Sequence, residues 1–417
     1  MKFKHTIIAA SLMAAVTTAN AAPSNEELWK MMQEMQQQMQ QVQTQNQQLK
    51  AENTTLKNKV EETEQAVEAV VVATEEAASS PLFSGKNTTI GGYGELHYNN
   101  LDDRNSGDAD IDEIDFHRFV LFFGHEFTDN LRFFSELELE HSIAGEDKAG
   151  EIELEQAYIE YDINDQNRVK GGVFLLPVGI INETHEPNTF YGTERNPVEK
   201  NIIPATWWEG GVMFSGDIAN GFAYDLAVTS GLDVSKKGTE ASFKIRDGRQ
   251  KVGKAQANDL AYTGRLKWTA IPGVELAATM QYQEDITQGN VLDSDGAVLF
   301  ETHAAIQQGA FGLRALYAQW NLDGNAPELT GYDEQTGWYL EPSYKINEYF
   351  GVFARYNEWD NQAGDSSIDS QFEQIDLGVN WWPHKNVVVK VDYQFQKAES
   401  DTAKELTGLN VGLGYQF

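Results

Sequence analysis

The chain has 417 residues, 41% hydrophobic and 23% charged, with 31 basic against 64 acidic side chains and no cysteine. A formal charge of −33 excludes nonspecific nucleic-acid binding, because so many carboxylates repel a phosphate backbone. No stretch beyond the N-terminus approaches the roughly 18 uninterrupted apolar residues of a membrane helix, and the missing cysteines remove disulfides and zinc–thiolate sites. These totals alone describe an acidic, soluble, two-domain protein, but they are blind to apolar and polar residues that alternate one by one.

The first segment reads as an export signal. Lys2 and Lys4 precede an apolar run, Thr6 to Val16, too short to span a bilayer, and Ala19-Asn20-Ala21 offers an A-x-A cleavage site. Residues 1–21 are therefore expected to be removed on the way to the periplasm or beyond.

Residues 22–80 change to Gln, Glu, Met and Val without glycine. Leu28, Met35, Val42, Leu49, Leu56, Thr63 and Val70 fall at d positions of a heptad repeat, and Met32, Met39, Asn46, Asn53, Val60 and Val67 at a positions. A 3.5-residue period held this long predicts an α-helical coiled coil, a rod of roughly 65 Å. Asn46 and Asn53 place two polar layers in the seam, which lowers stability but fixes register, so the stalk is expected to oligomerise. The seam itself leaves two or three chains open.

Beyond residue 85 the period becomes 2. Val387, Val389, Val391, Tyr393 and Phe395 alternate with Val388, Lys390, Asp392, Gln394 and Gln396. Val274, Leu276, Ala278, Met280 and Tyr282 do the same against Glu275, Ala277, Thr279, Gln281 and Gln283. Such strands of about ten residues suit a tilted bilayer crossing. Sixteen segments are predicted, at 88–98, 114–127, 131–142, 151–163, 167–176, 207–218, 220–231, 258–269, 273–285, 298–307, 309–321, 335–346, 349–359, 370–382, 386–398 and 405–417. Their connections alternate between tight turns and long polar loops. A soluble sandwich has no reason to sort its connections this way, whereas a transmembrane barrel does. The fold class is accordingly all-β: a 16-stranded antiparallel transmembrane β-barrel over 81–417, preceded by the coiled coil.

Trp320, Trp338 and Trp359 fall at the long-loop ends of strands and Trp268, Trp381 and Trp382 at the short-turn ends, the positions of two interfacial girdles. Pro342 interrupts one predicted strand and suggests a bulge.

The C-terminal run Leu409-Asn410-Val411-Gly412-Leu413-Gly414-Tyr415-Gln416-Phe417 resembles the closing strand of bacterial outer-membrane barrels. Gly92-Tyr93-Gly94-Glu95-Leu96-His97-Tyr98, Ile114-Asp115-Phe116-His117-Arg118-Phe119, Glu153-Leu154-Glu155-Gln156-Ala157-Tyr158, and Pro177-Val178-Gly179 running into Glu194-Arg195-Asn196 resemble sixteen-stranded porins, nearest the phosphate-selective porin O/P type. The resemblance implies a homotrimer, a loop after the fifth strand folded inward as a constriction, and recognition of Phe417 by the barrel-assembly machinery. The N-terminal coiled coil is similar to the periplasmic trimerisation stalk of some porins.

Independently, 177–206 is the longest predicted connection and holds Pro177, Pro187, Pro197 and Pro204, which restrict an otherwise floppy segment. It offers Glu183, His185, Glu186, Glu194, Arg195, Glu199 and Lys200 to the pore. Strand parity turns Arg132, Glu136, Glu138 and Glu140 inward, opposite Glu151, Glu153 and Glu155; like charges paired across strands belong in a wet lumen. Parity also places Lys170, Arg265, Lys267, Arg314, Arg355 and Lys390 inside. The expectation is an acidic wall facing a basic one across an eyelet that orients dipolar solutes and excludes apolar ones. The loop 232–257, with Lys236, Lys237, Lys244, Arg246, Arg249, Lys251 and Lys254, reads as a solvated tip, with anions or lipopolysaccharide phosphates as possible partners. Residues 81–417 nonetheless hold 25 basic and 54 acidic side chains, which runs against a phosphate preference.

No G-x-S-x-G, H-E-x-x-H or phosphate-binding glycine loop occurs, and His125-Glu126 and His185-Glu186 lack a third ligand at metal spacing. The sequence therefore calls for no enzyme, metal or cofactor. It predicts an outer-membrane porin, lodged among lipid and lipopolysaccharide, for passive diffusion of ions and small hydrophilic solutes. The alternative is a structural anchor whose stalk tethers the membrane to the cell wall.

Overall fold

Alternation decides the architecture, and it is turned inside out relative to a water-soluble domain. In the computed structural model Leu276, Met280 and Tyr282 are exposed on one strand, while Thr279, Gln281 and Gln283 between them are buried. The apolar face looks outward and the polar face looks into a lumen, as a barrel immersed in lipid requires. The structure describes residues 87–143, 150–235, 242–292 and 294–417, together with Trp29. The expected signal peptide and coiled coil, including Asn46 and Asn53, lie outside the described residues, as do Lys236 and Lys237.

The strands are β1 (Thr88–Asp103), β2 (Ile111–Thr128), β3 (Leu131–Glu140), β4 (Ile152–Asp162), β5 (Asn167–Leu175), β6 (Trp208–Asp217), β7 (Phe222–Thr229) and β8 (Ala261–Trp268). They continue as β9 (Val274–Gln283), β10 (Ala297–Gln308), β11 (Phe311–Leu322), β12 (Glu334–Lys345), β13 (Phe350–Asp360), β14 (Phe372–His384), β15 (Val387–Ala398) and β16 (Leu406–Gln416). Each pairs antiparallel with its sequence neighbours, and β1 pairs with β16 to close the barrel. At the seam Gly92 and Phe417 exchange backbone hydrogen bonds of 3.0 and 2.9 Å.

Three features depart from the sequence reading. Pro342 sits in an unbroken β12 with no bulge: register runs in step from Leu340↔Tyr356 to Ser343↔Phe353. Its outward ring is tolerated because only the local pairing with β13 lapses there. Bulges occur elsewhere, in β2 opposite Glu95–His97 and in β4 opposite Glu136–Leu137. The β4 bulge shifts the phase by one, so Ile152 and Leu154 point outward above it and Ile159 and Tyr161 below it. Finally, Trp320 and Trp359 are not girdle residues. Both are buried, Trp320 donating its indole N–H to the Ile202 carbonyl at 3.0 Å and Trp359 stacking on Phe372. Trp338 and Trp381 do face outward.

Trp320 and Trp359 belong to an apolar core inside the barrel. Leu176, Val178, Ile202, Ile203 and Trp207 of the β5–β6 connection join Leu232, Val234, Phe243 and Ile245 of the β7–β8 connection. Together they pack on Leu299, Leu316, Ala318 and Tyr339 of the wall. Two loops are thus folded into the lumen on one side, held there by buried apolar area.

Candidate functional site: the constriction

The β5–β6 connection, residues 176–207, runs through the interior and is tied to the wall at many points. Thr279 donates to the Pro177 carbonyl at 3.3 Å, and Arg265 holds Glu183 and Asp225 together. His185 sits between Glu136 and Glu155, at 3.3 and 3.4 Å. Arg314 donates to the Thr189 carbonyl at 2.5 Å, and the Lys390 ammonium lies 3.4 Å from the Phe190 ring centroid. The Thr193 N–H reaches Asp392 at 2.7 Å, and Glu194 accepts from His97 at 3.0 Å and Asn99 at 3.2 Å. Within the loop the buried Glu199 carboxylate receives the N–H groups of Ile180 and Ile181 at 2.9 and 2.6 Å. A one-turn helix, α1 (Val198–Asn201), carries that carboxylate.

The loop separates two cavities. Toward the long loops, a vestibule of about 730 Å³ is lined by Glu95, His97, Arg118, Arg195, Arg246 and Arg249, among others. Toward the short turns, a second space of about 720 Å³ is lined by Thr189, Tyr191, Glu275, Arg314, Glu341 and Lys345.

The expected basic wall is not a free wall. Arg355 is buried between Asp376 and Glu341, 3.0 and 3.2 Å away, and donates to the Tyr191 and Glu194 carbonyls. Arg265 and Lys390 are buried against the loop, Arg314 grips it, and Lys267 faces Glu275 at 3.8 Å. Lys170 lies over the Tyr158 and Phe174 rings. Arg355 and Arg265 are held by acids and Arg314 by a loop carbonyl, and with Lys170 and Lys390 on aromatic rings they brace the constriction. Arg132 is a brace too, in a fork with Glu160 and Asp162 near the short turns.

The acidic wall is present: Glu136, Glu138 and Glu155 are buried on the lumen side, and Glu140, Glu151 and Glu153 cluster above them. Facing it is a set of cations from loops. The β7–β8 connection is not a solvated tip. Its 3₁₀ turn, Ile245–Gly248, is inserted so that Arg246 donates to the Lys200 and Ala205 carbonyls and Arg249 to the Thr206 carbonyl at 2.6 Å. Lys251 bridges Glu151 and Glu153. Arg195 reaches Thr206 at 2.8 Å, leaving its Nε and Nη2, like Arg249 Nε, buried without a hydrogen bond. Burial first, then the Arg249 and Arg195 guanidiniums beside it, push Arg246 below its ordinary value. Lys200 is exposed on the vestibule, and burial pushes the Glu186 carboxyl up.

Glu95, His97, Asn99 and Arg118 of the adjoining β1–β2 wall were not singled out in the sequence. Arg118 lies between Glu95 and Glu138, at 3.8 and 3.5 Å. The β2 bulge turns both His117 and Arg118 inward, which strict alternation forbids.

The family model for phosphate-selective porins O and P matches residues 89–417. An uncharacterised protein of Aquifex aeolicus is 32% identical over 352 residues, 76% of this chain and 77% of that one. Solved structures with the same fold include the outer-membrane channel DcaP of Acinetobacter baumannii (15% identity, 81% of this chain and 100% of that chain, TM-score 0.55). The anion-selective porin of Comamonas acidovorans (15%, 79% and 99%, 0.54) and OmpF of Salmonella typhi (14%, 79% and 98%, 0.56) are also similar. Through the match over its whole barrel, the chain belongs to the phosphate-selective porin O and P family, outer-membrane channels through which solutes diffuse passively.

Proposed function

We propose that solutes pass between the β3–β4 carboxylates and the loop cations Arg195, Lys200, Arg246 and Arg249, and that this pair of surfaces selects what crosses. The charge separation supports the reading: acids on one side and under-paired guanidiniums on the other set a transverse field in a narrow, low-dielectric space. Such a field aligns dipolar solutes and rejects apolar ones. Those four cations line the vestibule and, together with the family's description, favour small anions at the eyelet. Braces such as Arg355 and Arg265 hold the loop and stay out of the permeation path. The long loops face outside and the short turns the periplasm. Three copies assemble through the barrel, a reading supported by a trimeric form of OmpT of Vibrio cholerae among the similar structures, and through the N-terminal stalk. The channel reading is favoured over the anchor by the family match, with a cavity on either side of the loop. Single-channel recording in a planar bilayer tests it: ohmic steps in groups of three are expected, with a reversal potential favouring anions in a salt gradient. A bilayer that stays silent overturns the channel, and a cation-favouring potential overturns the assigned preference.

A further inference from the structure

Three histidines gather in the vestibule from three different segments. The His97 and His117 rings are stacked with centroids 4.6 Å apart, and His141, just past β3, meets His117 edge-on at 5.4 Å. One ligand atom from each of His97, His117 and Glu194 lies within 4.8 Å of the others. Behind the two stacked rings stand carboxylates. Glu95 Oε2 takes His97 Nε2 at 3.0 Å, leaving Nδ1 toward Glu194, and Asp115 Oδ2 takes His117 Nδ1 at 3.0 Å, leaving Nε2. The same Asp115 oxygen holds His141 Nδ1 at 2.7 Å.

We propose that His97, His117 and Glu194 bind a divalent transition-metal ion of the zinc class, joining the barrel wall to the constriction loop at the vestibule. Two imidazoles and a carboxylate with a fourth position open to water is a donor set suited to zinc, and imidazole selects against magnesium and calcium. Tetrahedral ligands about 2.0–2.1 Å from zinc stand roughly 3.4 Å from one another. Closing the present spread requires the two stacked rings to turn toward one another, with the ion replacing the His97–Glu194 hydrogen bond. Each imidazole already has its far nitrogen on a carboxylate, the arrangement that fixes tautomer and ring orientation at metal sites. The two imidazole donors come from paired β-strands, which places them more firmly than loops would. Glu194 comes from the constriction loop, so a bound ion pins that loop to the wall and puts positive charge at the mouth of the eyelet.

The test uses the full-length protein folded in detergent and then in a bilayer. Calorimetric titration with Zn²⁺ is expected to show one site per chain that a large excess of Mg²⁺ does not displace. His117→Ala weakens it by about tenfold or more, and His125→Ala, on β2 near the short turns, leaves it unchanged. Unaltered heat-modifiable mobility establishes that each variant is folded, and His97→Gln serves as a second substitution at the site. In single-channel records, Zn²⁺ added on the long-loop side shifts the reversal potential further toward anions, reversibly on chelation, and His117→Ala removes the effect. Zinc affinity equal in the wild type and both site variants, or full displacement by Mg²⁺, overturns the site. The calorimetric arm does not depend on conduction, so a silent bilayer with intact binding faults the channel reading and leaves the site standing.

Discussion

Tyr339 on β12 donates its hydroxyl to Glu199 at 2.8 Å, joining the barrel wall to the carboxylate around which the constriction loop is wrapped. Because Glu199 also collects the Ile180 and Ile181 N–H groups and an Asn196 amide N–H at 3.1 Å, the bond ties three chain segments at one point. Tyr339→Phe removes one buried donor and is expected to cost roughly 1–3 kcal/mol, while Glu199→Ala strands several donors and costs more. Protease cleavage of the loop in the folded barrel, measured against time, should rise in that order. Equal resistance in both variants contradicts the role given to Glu199.

His185 supplies a pH-dependent latch. Burial and the nearby Arg195 act against its charge, but hydrogen bonds to Glu136 and Glu155 outweigh them and raise it from 6.5 to about 10. The folded loop therefore binds a proton more tightly than the unfolded chain. The stabilisation is complete below 6.5, declines above it, and is gone once pH passes about 10. Channel current noise should grow over that interval, and His185→Gln should flatten the dependence. A wild-type trace insensitive to pH across it rules the latch out.

Neutralising the loop cations should change selectivity without closing the pore. Two unit charges about 4 Å apart interact by on the order of 1 kcal/mol even in bulk water. Arg246→Gln with Arg249→Gln is accordingly expected to move the anion-to-cation permeability ratio toward cations by roughly fivefold. Arg355→Gln should instead make the current unstable, since it strands the buried Glu341 and Asp376 carboxylates without their cation. Reversal potentials and open-channel noise separate the two effects.

Phe417 stacks on Phe119 with ring centroids 6.1 Å apart and sits beside Tyr415 at 6.5 Å. Phe417→Ala keeps the backbone exchange with Gly92, so barrels refolded in detergent should lose only about 1 kcal/mol. Yield in cells should fall much further if the assembly machinery reads this ring. Equal losses by the two routes would reduce Phe417 to a packing residue.

Deleting residues 22–80 isolates the stalk. The ladder of β1–β16 closes within residues 88–416, so conductance per step should be retained. If the coiled coil drives trimer formation, single steps should become more frequent at the expense of triple ones. An unchanged step distribution assigns assembly to the barrel alone.

The strand plan was legible because lipid and lumen impose a strict period of 2 and because connection length alternates with the side of the membrane. The site was less so, for three physical reasons. A bulge hides its own phase shift: nothing in Ile114-Asp115-Phe116-His117-Arg118 announces that His117 and Arg118 both turn inward. Charge cannot be told apart from partnership in a sequence, so Arg355 and Arg265 resembled pore cations although each is enclosed by acids. The infolding of the β7–β8 connection did carry a signal, in Leu232, Val234, Phe243 and Ile245, apolar residues a solvated tip has no use for. The histidine cluster was invisible to motif spacing because its members meet only through strand register.

The pairing of β16 with β1 also bears on biosynthesis. The ring closes only through β16, so a chain that stops before that strand leaves two unpaired edges. Such edges are templates for aggregation. Quality control of this protein therefore needs no inspection of its length: an incomplete chain betrays itself by what it sticks to.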